Sequence, residues 1–154
     1  IGVELGALLE GNGNFEVRLS RPTPETQLGS SNTSSLRART DAANSWGADY
    51  FISLHTNAST ITSATGSEAL VYSSPSAASR LGEAILIGLN GATGLRNRGV
   101  FERPGLYVLR KTTMPAVLLE LGFITNPNDA ALMSGDPEAF ARGIYTGILE
   151  YLNL

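Results

Sequence analysis

Pro115-Ala116-Val117-Leu118-Leu119-Glu120-Leu121-Gly122-Phe123 is an apolar run broken by one carboxylate. Its length and composition read as a strand buried on both faces. Such a strand belongs to a sheet covered by helices on both sides, which places the chain among α/β folds. Glu120 then sits inside a core strand, where a lone charge must be paired, metal-linked or protonated. The chain's only histidine, His55, ends a second apolar strand, Tyr50-Phe51-Ile52-Ser53-Leu54-His55, and polar Thr56-Asn57 follow it. In such sheets, sites gather at the carboxyl ends of the strands. An imidazole and a carboxylate so placed point to a metal-dependent hydrolase site.

Composition narrows the classes. The 154 residues read as one domain, 1–154, long enough to bury a core. With 42% hydrophobic and 16% charged residues, the chain is not disordered. A net charge of −3 gives no drive toward nucleic acid or an anionic membrane surface. No apolar run approaches the roughly 18 residues of a membrane span, so no membrane insertion is expected. No stretch reads as a secretory leader. The absence of cysteine excludes disulfides, thiolate metal sites and cysteine nucleophiles, leaving His and carboxylates, with water, as metal ligands. The chain opens at Ile1 inside a helical pattern, with Ile1, Leu5, Leu8 and Leu9 on one face and no cap before them. That opening reads as part of a longer protein.

Along the chain, Gly11-Asn12-Gly13 stops the first helix. Phe15, Val17 and Leu19 alternate with polar residues, which predicts a half-buried strand. Residues 21–35 read as a surface loop, and Ser34 or Ser35 as the cap of a helix ending at Gly47. Gly66 to Tyr72 reads as a strand. Ser74-Pro75 reads as a cap with proline at the first helical position, opening a helix that buries Ala78, Leu81, Ile85 and Leu89. Residues 91–98 read as a loop, and Val100 and Leu106-Tyr107-Val108-Leu109 as short strands. Asn126-Pro127 and Asp136-Pro137 open the last two helices, the final one burying Phe140, Ile144 and Ile148.

Each candidate residue also has an ordinary reading. His55 suits a rim histidine bonded to a carbonyl. Asn57 suits an Asx turn. Glu120 suits the partner of a buried arginine, Arg39 or Arg110. Asn97-Arg98-Gly99 reads as a turn as readily as a site edge, and Glu68 as a strand residue on a wet face.

Taken together, the blocks carry a resemblance. Leu19-Ser20-Arg21, Leu36-Arg37-Ala38-Arg39, the run from Ala43 through His55-Thr56-Asn57-Ala58, Gly66-Ser67-Glu68, Asn97-Arg98-Gly99-Val100, Leu106-Tyr107-Val108-Leu109-Arg110 and the Glu120 run through Asn126 follow one another as in the zinc-dependent N-acetylmuramoyl-L-alanine amidases. The match runs over 1–154 and resembles the bacterial autolysin and spore-lytic branch. It implies a twisted, mainly parallel sheet between helices. It also implies hydrolysis of the amide joining N-acetylmuramic acid to L-alanine in peptidoglycan, by a secreted protein of the cell wall or spore envelope. His55 matches the family's second histidine ligand to Zn2+, and Glu120 its catalytic glutamate. Asn57 and Arg98 are the expected substrate-orienting groups. The family's first strand, its earlier histidine ligand and a glutamate ligand would fall before Ile1. Two rivals are a peptidoglycan- or partner-binding domain of the same fold without catalysis, and a glycosidase using Glu68 and Glu120 as paired acids.

Overall fold

The computed structural model describes residues 1–154. In chain order it contains α1 (Gly2–Asn12), α2 (Asn32–Trp46), β1 (Phe51–Asn57), β2 (Ser67–Val71), α3 (Ala77–Thr93), β3 (Asn97–Glu102), α4 (Tyr107–Arg110), β4 (Ala116–Phe123), α5 (Pro127–Gly135) and α6 (Pro137–Leu152). The sheet order is β1-β4-β2-β3. β1 runs parallel to β4 and β2 parallel to β3, while β2 and β4 are antiparallel. The α/β fold read from the strand and helix pattern forms, and its sheet is mainly parallel, as the resemblance implied.

Period-two alternation along β4 divides its two faces. Val117, Leu119 and Leu121 join the larger core with Ala69, Val71 and the buried stripes of α3 and α6, including Leu81, Ile85, Phe140 and Ile144. Ala116 and Leu118 face the other way, into a smaller cluster with Leu70, Val108 and Leu109. α3 and α6 lie backbone to backbone. A methyl group built on Gly147 would meet Ile85 Cα at 2.4 Å, and one on Gly143 would meet Leu89 Cα at 2.8 Å. Only glycine permits that approach.

Several boundaries differ from the sequence reading. α2 starts at Asn32, because Ser31 is its cap: Ser31 Oγ accepts from the Ser34 N–H at 3.1 Å, and Ser34 Oγ from the Ser31 N–H at 2.9 Å. The same device opens α3 two residues late, at Ser76 and Ser79, with Ser74-Pro75 a cis peptide before it. α3 then runs to Thr93 and β3 begins at Asn97, so most of the expected 91–98 loop is regular structure. Leu106–Leu109 is not a strand. Arg110 and Lys111 N–H groups bond the carbonyls of Leu106 and Tyr107, closing the short helix α4. A run of four apolar residues has no period long enough to separate the two outcomes.

The strand expected over Phe15, Val17 and Leu19 does not form either. β1 is the sheet edge. A cavity of about 400 Å³ is lined by Phe15 and Val17 of this segment and by Ile52 and Leu54 of β1. A strand without a neighbour has nowhere to place its ladder hydrogen bonds.

Candidate functional site

One row crosses the whole sheet. His55 of β1 is the register partner of Glu120 of β4, Glu120 of Glu68 of β2, and Glu68 of Gly99 of β3, next to Arg98. Neighbouring strands lie about 4.8 Å apart and paired residues share a face, so His55, Glu120 and Glu68 stand side by side. Their face is that of Leu70 and Leu118, one step along each strand, where the smaller core cluster ends. The row lies at the carboxyl ends of β1 and β4 and the amino ends of β2 and β3. Two residues predicted from separate strands are thus brought together.

His55 is open to solvent, and its Nε2 lies 2.8 Å from Ser53 Oγ. The protein atoms around the ring, and then the Arg39 charge, disfavour the imidazolium and hold its pKa below the usual histidine value. Glu120 is half-buried. Burial, and secondarily the Glu68 charge, push its carboxyl above the usual carboxylate range. Its Oε2 is buried and has no hydrogen-bond partner. No ion pair joins it to Arg39 or Arg110: Arg110 lies over the Tyr107 ring at 6.0 Å, and Arg39 Nε is itself buried without a partner. A carboxyl kept proton-hungry and unpaired at a solvent-reached edge is suited to taking and giving a proton.

Glu68, read as an ordinary strand residue, is the hub of the site. Its Oε1 accepts from Asn57 Nδ2 at 3.0 Å, and its Oε2 from Arg98 Nε at 3.0 Å. Arg98 also reaches the Thr65 carbonyl at 3.4 Å and lies 5.0 Å over the Phe123 ring. Asn57 Oδ1 accepts from the Ala58 N–H at 2.9 Å. Both residues therefore border the site with donors already aimed at Glu68. One donor at each oxygen holds the Glu68 carboxylate in place beside Glu120. The sequence signals for Glu68 were its charge inside an apolar strand and its place in the Gly66-Ser67-Glu68 block; neither showed that it would hold Asn57 and Arg98.

No group of three or more His, Cys, Asp or Glu side chains is placed to hold a metal. A catalytic zinc site takes three protein ligands, and these residues supply His55 alone. The donor set of residues 1–154 does not by itself fit a zinc site.

Comparison with known proteins bears on the family and the fold. The sequence profile described as N-acetylmuramoyl-L-alanine amidase matches residues 1–150. The chain is 39% identical over 148 residues to the N-acetylmuramoyl-L-alanine amidase CwlM of Bacillus licheniformis, covering 92% of this chain and 53% of that protein. It thus spans about half the length of that relative. Among solved structures it is similar to the catalytic domain of the amidase CwlV of Bacillus (Paenibacillus) polymyxa var. colistinus, with TM-score 0.84, 32% identity and 98% and 80% of the two chains covered. It is also similar to the CwlD amidase of Clostridioides difficile, solved in complex with the GerS lipoprotein, with TM-score 0.89, 26% identity and 98% and 82% covered.

Proposed function

We propose, from the premise that this chain belongs to the N-acetylmuramoyl-L-alanine amidase family, that it hydrolyses the amide between N-acetylmuramic acid and L-alanine in peptidoglycan. The observation that carries this is Glu120: half-buried, raised in proton affinity, unpaired at Oε2 and level with His55. Glu120 takes a proton from the attacking water and delivers it to the departing amine of L-alanine. Glu68 holds Asn57 and Arg98, which border the bound amide and orient it. The 21–35 and 57–65 segments shape the groove for a glycan strand.

Zinc is the family's expected metal, and His55 is its proposed ligand in this chain. One imidazole falls short of the three protein donors required, so the chemistry assigned here is that of Glu120. A polymer of the cell wall as substrate implies action outside the membrane, at the wall or spore envelope. No helix is long and apolar enough to cross a membrane.

The test is Glu120→Gln, assayed on purified peptidoglycan by the appearance of new N-terminal L-alanine. Glutamine cannot carry the proton, so activity falls by about 10²–10⁴-fold while the circular dichroism spectrum is unchanged. A fully active variant refutes the role of Glu120. The shortage of metal donors favours a second reading, a wall-binding domain without catalysis. It predicts that the wild-type chain sediments with peptidoglycan but releases no N-terminal alanine.

A further inference from the structure

β4 leaves its register immediately after Glu120. His55 opposes Glu120, yet Asn57 opposes Phe123, so Leu121 and Gly122 stand against Thr56 alone. Such a shift bends a strand and re-aims the side chains beside it. It also takes backbone groups out of the ladder, and buried groups of that kind need other partners. The β2–β4 ladder pairs Glu68 with Glu120, at the amino end of β2. Beyond that point, the amides of Gly66 and Phe123 find the same side chain.

That side chain is Asp129, in the first turn of α5 and fully buried. Its Oδ2 accepts from the Gly66 N–H at 3.1 Å and the Phe123 N–H at 3.0 Å, and its Oδ1 from Thr65 Oγ1 at 2.5 Å. Asn126 Oδ1 caps α5 by accepting from the Asp129 N–H at 3.0 Å, which holds the carboxylate in place. Ser67 Oγ adds a bond to the Leu121 carbonyl at 2.6 Å. The residues so fixed are those on which the site stands. Phe123 lies under the Arg98 guanidinium, the Thr65 carbonyl receives Arg98, and Arg98 pairs with Glu68.

We propose that Asp129 is a positioning residue: its carboxylate replaces the missing ladder bonds between β2 and β4 and so holds the shifted register that aims Glu120, Glu68 and Arg98 into one site. Its effect on catalysis rests on the amidase reading; its effect on backbone geometry does not. Asp129→Ala removes every acceptor. Asp129→Asn need not, because its amide oxygen can occupy the Oδ2 place while its NH2 group donates to Thr65 Oγ1, whose hydroxyl turns round.

The test compares both variants by amide hydrogen exchange in the chain of residues 1–154, with Leu119 in the core of β4 as internal reference. Asp129→Ala raises exchange at Gly66 and Phe123 by about 100-fold more than at Leu119, as a local opening does. It also moves the ring resonance of His55, which is unambiguous because the chain has one histidine. Asp129→Asn leaves both amides and the ring resonance as in wild type. Where hydrolysis is measurable, Asp129→Ala lowers kcat by about 100-fold, the scale of an ångström's misplacement, with KM within about threefold, and Asp129→Asn restores kcat. Exchange that rises equally at Leu119 and Phe123 overturns the proposal, as does an unmoved ring resonance. If Asp129→Ala does not fold, Asp129→Asn still decides: loss of protection at Gly66 and Phe123 in that variant overturns it, and retention supports it. An inactive wild type with the exchange pattern intact counts against catalysis by residues 1–154 and leaves Asp129's role standing, since the exchange and ring-resonance readouts need no turnover.

Discussion

Gly147→Ala tests the packing of α3 on α6, where two opposed effects can be sized. Inside a helix, replacing glycine by alanine gains up to about 1 kcal/mol. Here the new methyl would lie 2.4 Å from Ile85 Cα, 2.6 Å from the Ala84 carbonyl oxygen and 2.8 Å from Ile85 N. All three are backbone atoms, so no side chain can turn aside. Ordinary carbon contact begins at about 3.5 Å, so the helices must part by about 1 Å over a core that buries Ile85, Leu89, Ile144 and Ile148. Forcing extra volume into a packed interior costs about 1–3 kcal/mol, and separating two helices along their length belongs at the upper end. The net loss is about 2 kcal/mol. For a domain of this size that lowers Tm by about 4–8 °C, read by far-UV circular dichroism. Gly91→Ala is the control, since Gly91 lies in α3, the facing helix, with nothing within 4 Å of its would-be methyl. It should raise Tm by about 2–4 °C, the propensity gain alone. A Gly147→Ala variant as stable as wild type would refute the argument that backbone contact, rather than helix propensity, governs this interface.

Two further outcomes follow from the site. The Glu120 carboxyl is raised in proton affinity by burial and by Glu68, so its contribution to stability is complete below the unfolded value of about 4.3 and is lost as pH rises through the folded value. Glu120→Gln should therefore melt at a higher temperature than wild type at pH 7 and at the same temperature near pH 4; a difference independent of pH would show that the carboxylate carries no such cost. Because His55 is the one imidazole and no cluster of three donors is placed around it, a chain of residues 1–154 alone should retain well below one zinc per molecule after dialysis, measured by atomic absorption. Stoichiometric, tightly held zinc would show that these residues complete a site by themselves.

The parts of this molecule legible in its sequence are those set by neighbours along the chain. Asn126-Pro127 and Asp136-Pro137 do cap α5 and α6, since a cap is a contact across three residues. The apolar run around Glu120 is β4, and the polar punctuation after His55 marks the carboxyl end of β1, because strand burial leaves its trace in local periodicity. From these alone, two groups of the site were placed on one edge. What the sequence could not show depends on partners distant along the chain. Phe15 to Leu19 alternates like a strand but has no neighbour to pair with. The Leu106–Leu109 run becomes a helix because its buried side chains fit the small cluster under Leu70 and Leu118. Glu68 becomes the centre of the site only when β2 is set antiparallel to β4 and parallel to β3, which puts Asn57, 11 residues away, and Arg98, 30 residues away, against its two oxygens. Asp129 becomes a brace only after the register shift beyond Glu120 frees an amide for it. Strand order, register and the fate of unpaired backbone groups are settled by tertiary pairing, because a backbone amide is the same donor at every position until the fold decides what faces it.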